Sequence, residues 1–186
     1  MRDETIKPNR RSIRLQEYDY RQPGAYFVTI CTRKRECLLG EIVDGKMVLN
    51  SYGEIVKDEW FHSAQIRPEI ELDFFVVMPN HIHGIMTIRE DMQSSVRATG
   101  RSPLRDHRNT LPQKSLGSFV AGLKASITKR SNEIRGTPGT PVWQRNYYEH
   151  VIRNEIDLDE IRQYIENNPF KWLEDENHPD KMKKRS

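Results

Sequence analysis

Asp73-Phe74-Phe75-Val76-Val77-Met78-Pro79-Asn80-His81-Ile82-His83-Gly84-Ile85-Met86-Thr87-Ile88 reads as two β-strands folded back on each other through the turn residues Pro79-Asn80. On a strand, positions i and i+2 point to the same face, so His81, His83, Ile85 and Thr87 share one side of the second strand. Ile82, Met86 and Ile88 share the other. The apolar side reads as core, and the histidine side as a working surface. Two neutral imidazoles converging on one point offer a site for a divalent metal. Taken by itself, the His-hydrophobe-His pattern is equally compatible with an incidental pair of histidines.

Working outward, Ala25-Tyr26-Phe27-Val28-Thr29-Ile30-Cys31-Thr32 is rich in β-branched and aromatic residues and predicts a central strand. Leu38–Val43 and Lys46–Leu49 flank Asp44-Gly45, a strong hairpin signal. Ser51 with Glu54 suggests a capping box, and Tyr52, Ile55, Val56 and Trp60 recur at helical spacing, so a helix is expected over 51–66, stopped by Pro68. Leu116, Phe119, Val120, Leu123 and Ile127 define a second amphipathic helix with Lys114, Lys124, Lys129 and Arg130 outside its stripe, ending before Gly136. An extended aromatic segment over 142–152 follows. Asn154 and Asp157 then mark the start of a last helix, whose buried stripe is Ile156, Leu158, Ile161 and Ile165 and which ends at Pro169. This order of elements predicts an α+β protein: a ferredoxin-like antiparallel sheet with helices packed largely on one face.

The chain of 186 residues is long enough for one domain with a substantial core. The organisation expected is a basic N-terminal arm (1–24), a catalytic domain (25–173) carrying a basic loop (89–113), and a mobile charged tail (174–186). No run approaches the roughly 20 apolar residues of a membrane span, and no apolar signal core follows Met1-Arg2-Asp3-Glu4, so a cytoplasmic protein without membrane attachment is expected. Cys31 and Cys37 have neither metal-finger nor redox spacing and read as reduced structural thiols.

The net charge of +3 is unevenly spread. Residues 1–40 hold nine Lys/Arg against five Asp/Glu and residues 89–135 hold ten against four, whereas 41–88 hold three against eight. Positive charge concentrated in an arm and a central loop suits a polyanion. The candidate nucleic-acid contacts are Arg10, Arg11, Arg14, Arg101, Arg105 and Lys124. Ordinary solvated surface charge is the competing reading.

On the last helix, Tyr164 and Asn168 lie four residues apart on one face, where a phenol and an amide oxygen could approach one metal together. A phenol with a free pKa of about 10 needs a polarised target or a local base before it attacks a phosphodiester. A helix residue at the core edge and a helix C-cap are the plainer readings of these two positions.

Three strings, in order, narrow the choice. Met78-Pro79-Asn80-His81-Ile82-His83, Trp143-Gln144-Arg145-Asn146-Tyr147-Tyr148-Glu149-His150-Val151-Ile152-Arg153-Asn154 and Tyr164-Ile165-Glu166-Asn167-Asn168-Pro169 resemble the REP-associated tyrosine transposases, within the wider His-hydrophobe-His single-tyrosine family. Arg10–Leu15 and Ala25–Thr32 extend the likeness, which covers about residues 10–173. The resemblance implies metal-dependent cleavage of single-stranded DNA bearing palindromic hairpins, through a 5′-phosphotyrosine intermediate with a free 3′-hydroxyl. Tyr164 then matches the nucleophile and His81 and His83 the metal pair, with Mg or Mn as the ion. Asn168 stands where relatives often carry a glutamine as third metal ligand. A homodimer is compatible with this assignment. The alternatives are a non-cleaving, repressor-like hairpin-binding protein, or a metallohydrolase using His81, His83 and His150 with Tyr164 merely structural.

Overall fold

The computed structural model describes residues 18–90 and 115–183. Its strands are β1 (Gly24–Cys31), β2 (Gly40–Val43), β3 (Lys46–Leu49), β4 (Ile70–Met78), β5 (His81–Ile88) and β6 (Tyr148–Ile152). Its helices are α1 (Ser51–Gln65), α2 (Leu116–Arg135), α3 (Glu155–Asn167) and the short α4 (Pro179–Lys183). One four-stranded antiparallel sheet runs β4-β5-β1-β6, and β2 and β3 form a separate hairpin. With the hairpin set aside, the order β1-α1-β4-β5-α2-β6 and the spatial order of the sheet are those of a ferredoxin-like split βαβ fold. The fold class expected from the sequence is the one observed.

Alternation along β5 decides what lies on each side of the sheet. Ile82, Met86 and Ile88 join Tyr26, Val28 and Ile30 of β1 in the main core, closed by Trp60 of α1 and Phe119, Leu123 and Ile127 of α2. Each such side chain, fully buried, contributes about 1.5–3 kcal/mol. Gly84 has a steric reason to be glycine: a Cβ there would lie 2.4 Å from the Trp60 ring, which stacks on Phe75 at a centroid distance of 4.5 Å. On the opposite side Phe27, Ile85 and Ile165 make a much smaller apolar cluster, joined by Leu158 and Ile161 of α3. Helices α1 and α2 thus pack on one face, and α3 crosses the other. Arg162 of α3 holds Asp73 of β4 at 2.6 Å.

Local structure follows local chemistry. Asp44 and Gly45 take left-handed φ values of 49° and 72°, as the two-residue hairpin requires. Asn154 caps α3 by accepting from the Asp157 amide at 2.9 Å. The cap of α1 differs from the Ser51–Glu54 box expected. Asn50 fills that position, its Oδ1 accepting from the amides of Tyr52 and Gly53 while its Nδ2 donates to the Leu38 carbonyl. One amide side chain therefore satisfies two helix donors and also ties down the chain at Leu38, just before the hairpin.

The extended segment expected over 142–152 is a ladder strand only from Tyr148, with Trp143 in an isolated bridge to Thr32. Between them the Lys124 ammonium takes the carbonyls of Gln144, Arg145 and Asn146 at 3.0–3.4 Å, which bends this stretch out of strand geometry. Among the described residues no helix is long and apolar enough to cross a membrane. Cys31 and Cys37 are both free thiols.

Candidate metal and tyrosine site

β1 and β5 pair with Thr29 opposite His83 and Cys31 opposite His81, which places both imidazoles over the middle of the sheet. The histidine face is a buried floor rather than the open working surface expected: His81 is 0% exposed and His83 2%, because α3 and the chain after it cover them. The Nε2 atoms are 2.9 Å apart. Each Nδ1 has its own partner, Asn80 Oδ1 at 2.8 Å for His81 and Thr29 Oγ1 at 2.8 Å for His83.

The first of these bonds sets a tautomer. Both amide hydrogens of Asn80 are spent on the carbonyls of Arg35 and Asn177, so its Oδ1 faces His81 as an acceptor and Nδ1 carries the proton. The His81 Nε2 lone pair is then left pointing at the space between the rings. Burial pushes the His81 pKa down to about 3, with the Arg35 charge adding to the effect. It also pushes His83 well below its ordinary value, helped by His81. Both rings are neutral near pH 7, the state in which imidazole ligates metal.

Two further groups close the site. Asp175 places Oδ2 3.7 Å from His81 Nε2, buried and without a hydrogen-bond partner among the described residues. Asn168 is 3% exposed, and its Oδ1 is likewise buried and unpartnered. A carboxylate sealed beside two neutral imidazoles is costly unless a cation compensates it. His81, His83 and Asp175 form a group whose ligand atoms all lie within 4.8 Å of one another, so they could hold a metal ion. The 2.9 Å separation of the two nitrogens fits this: ligands at about 2.1 Å from one ion and about 90° apart are separated by roughly 3 Å.

The Tyr164 phenol lies 3.3 Å from His83 Nε2. Burial, then the negative charge of Asp175, pushes its pKa up to about 12, while the neighbouring Asn168 side chain opposes the shift. The phenol is thus protonated at rest, next to a ring nitrogen that a metal would use. It opens onto a cleft of about 610 Å³ whose walls include Phe27, Thr29, Arg35, His83 and Tyr148.

Of the residues singled out in the sequence, the fold brings His81, His83, Tyr164 and Asn168 together. Arg10, Arg11, Arg14, Arg101 and Arg105 lie outside the described residues. Lys124 is committed to three carbonyls and packs over the Tyr147 ring at 5.5 Å, so its ammonium holds the segment whose Gln144, Asn146 and Tyr147 line the cleft instead of standing free for a phosphate. His150 pairs with Asp157 at 2.9 Å and is not part of the His81–His83–Asp175 group.

Asp175 itself is a residue that sequence reasoning missed. It falls within the stretch expected to be a mobile charged tail, yet that stretch is folded through α4, and its 175–177 part lies against the histidines. The only local signal was the acidic run Glu174-Asp175-Glu176, which has no spacing relation to Tyr164.

No family model matches the sequence. An uncharacterized protein of Haemophilus influenzae is 42% identical over 179 residues, covering 92% of this chain and 94% of that protein. The chain belongs to the same family as that protein. Among solved structures, a REP-associated tyrosine transposase bound to a REP hairpin superposes with a TM-score of 0.53 at 24% identity, over 84% of this chain and 74% of that one. The family therefore has the fold of that transposase. A candidate transposase of Deinococcus radiodurans is more distant, with a TM-score of 0.42 at 21% identity over 83% and 95% of the two chains.

Proposed function

We propose that the protein is a REP-associated tyrosine transposase: a metal-dependent enzyme that cleaves and rejoins single-stranded DNA at palindromic hairpins through a 5′-phosphotyrosine. The observation that carries the reading is the Tyr164 phenol at 3.3 Å from an imidazole nitrogen that is itself 2.9 Å from a second one. A pure hairpin binder needs neither that nucleophile nor the buried carboxylate oxygen of Asp175 beside the histidines. The shared fold with a hairpin-bound tyrosine transposase supports the choice of substrate.

His81 and His83 would hold the ion through Nε2, with Asp175 and Asn168 supplying oxygen. This mixed nitrogen and oxygen set would take a divalent ion, and Mn²⁺ or Mg²⁺ is the choice that the resemblance to the tyrosine transposases implies. When bound, the ion supplies Lewis acidity at the phosphate and favours phenolate over phenol. Asn80 and Thr29 hold the rings in place, and the α3 backbone presents Tyr164 from the opposite side. Its Oη forms the new bond to phosphorus as the bond from phosphorus to the 3′ oxygen breaks. The phenolic proton passes to solvent and the departing 3′ oxygen takes one up, leaving DNA on Tyr164 by its 5′ phosphate and a free 3′-hydroxyl. Binding would draw on the basic arm and loop, including Arg10, Arg11, Arg14, Arg101 and Arg105.

The test is covalent capture. Hairpin oligonucleotides built from palindromes flanking the gene, incubated with Mn²⁺, should give a protein–DNA adduct that chelator prevents and that peptide mapping places on Tyr164. Binding without any adduct would favour a repressor-like hairpin binder. An adduct that persists with chelator would exclude the metal.

A further inference from the structure

Immediately after β1 the chain makes a single tight turn, Arg33-Lys34-Arg35, in which Lys34 and Arg35 both take left-handed φ values, 54° and 55°. Two consecutive non-glycine residues in this region are uncommon and persist only where the surroundings over-determine them. Here they do. Thr32 Oγ1 donates to the Glu36 carbonyl at 2.7 Å, the Arg33 amide donates to the Val142 carbonyl, and Asn80 Nδ2 donates to the Arg35 carbonyl at 3.0 Å. Asn80 is also the residue that orients His81. A single buried amide therefore locks both the candidate metal ligand and the backbone of Arg35.

The Arg35 side chain lies in the wall of the cleft that Tyr164 and His83 share. Its charge is felt at His81, whose pKa it depresses, and at Cys31. Among the described residues the only hydrogen bond of its guanidinium is from Nη1 to the Glu176 carbonyl at 3.3 Å, and it has no carboxylate partner. Cations that serve this fold structurally look different. Arg162 is held by Asp73 and Asp159, Arg130 by Glu59 and Asp58, and Lys124 by three carbonyls. Arg35 has a strained, tethered backbone and a nearly uncommitted five-donor head at the mouth of the site.

We propose that Arg35 grips the non-bridging oxygens of the phosphodiester that Tyr164 attacks, an assignment that rests on the nuclease reading above. As the phosphorus takes on the tyrosine oxygen, negative charge grows on those oxygens, and a planar guanidinium can donate two parallel N–H groups to them. It transfers no proton, because its pKa lies too high for it to deprotonate in a protein. A lysine in its place would supply a charge without the fork.

The test uses the full chain and the flanking-palindrome hairpins. If the parent forms no adduct, the nuclease reading fails and this assignment with it. Given a parent adduct, Arg35→Ala should slow adduct formation about 10²–10³-fold, the usual consequence of losing one oxyanion donor. It should also lower the slope of log K against log salt for hairpin binding in chelator by about 0.7, one single-strand phosphate. On a hairpin with a methylphosphonate at the scissile position, where no charged oxygen remains to be gripped, variant and parent should react at nearly equal rates. Arg35→Lys, which keeps the charge, should react at an intermediate rate and provides the comparison if the alanine variant does not fold. Cleavage of the ordinary phosphodiester by either variant at the parental rate would overturn the proposal. So would a deficit of the same size on the methylphosphonate, since that would show Arg35 to be holding the turn and nothing else.

Discussion

The two faces of the sheet are made by the same strands and end up as opposites. Facing α1 and α2, the side chains of β1 and β5 are almost wholly apolar and pack around Trp60. Facing α3, they begin apolar at Phe27 and Ile85 and then turn polar at Thr29, His81 and His83, all buried. The first face stabilises the fold through burial and the second gives some of that up. It encloses two neutral imidazoles and a carboxylate with one oxygen unpartnered among the described residues, where hydrocarbon would be more stable. That local cost falls on a group that could hold a metal ion.

The sharpest break between the faces is expected from Tyr164→Phe. Removing a single hydroxyl from the α3 side should eliminate the DNA adduct while leaving far-ultraviolet circular dichroism and hairpin affinity as in the parent. Tyr147→Phe and Tyr148→Phe should keep the adduct, and peptide mapping that finds DNA on either would move the nucleophile.

On the other face, Trp60→Ala should lower unfolding stability by about 3–5 kcal/mol, the usual cost of emptying a large core position, by the same amount with and without metal. Denaturant titration in chelator and in Mn²⁺ measures both. A deficit that depends on the metal would mean that the two faces are coupled more tightly than their separate clusters suggest.

Metal should act on one face alone. At about 100 times its Kd, Mn²⁺ should stabilise the parent by roughly 2.7 kcal/mol. Asp175→Asn should abolish most of that gain, and because it removes a buried charge it should leave the metal-free protein as stable as the parent or more so. The His81→Ala/His83→Ala double variant should show no stabilisation by Mn²⁺ and no adduct. Thermal melts with and without ion decide this, and a full Mn²⁺ shift in Asp175→Asn would remove Asp175 from the ligand set.

The smallest effect is expected from residues outside the described ones. Neutralising several of Arg10, Arg11, Arg14, Arg101 and Arg105 should weaken hairpin binding and reduce its salt slope by about 0.7–0.9 per lost phosphate contact. An unchanged slope would place the DNA elsewhere on the protein.

Much of this molecule was determined by its sequence alone, wherever the governing rule is local. The two-residue period of β5 put His81 and His83 on one side and Ile82 and Met86 on the other. Asp44-Gly45 supplied the left-handed turn, Asn154 supplied a cap, and the i, i+4 spacing of Tyr164 and Asn168 put them on one face of α3. These readings needed only backbone stereochemistry acting over a few residues. What required the tertiary structure is non-local. Asn50 caps α1 because the carbonyl of Leu38, just before the hairpin, lies within its reach. Lys124 serves the 144–146 loop because α2 runs beside it. Asp175 reaches His81 only because the chain, after Pro169, turns back across the histidine face. No periodicity records such a return, since the position of a side chain 94 residues away in sequence is set by how whole elements pack and not by the residues on either side of it.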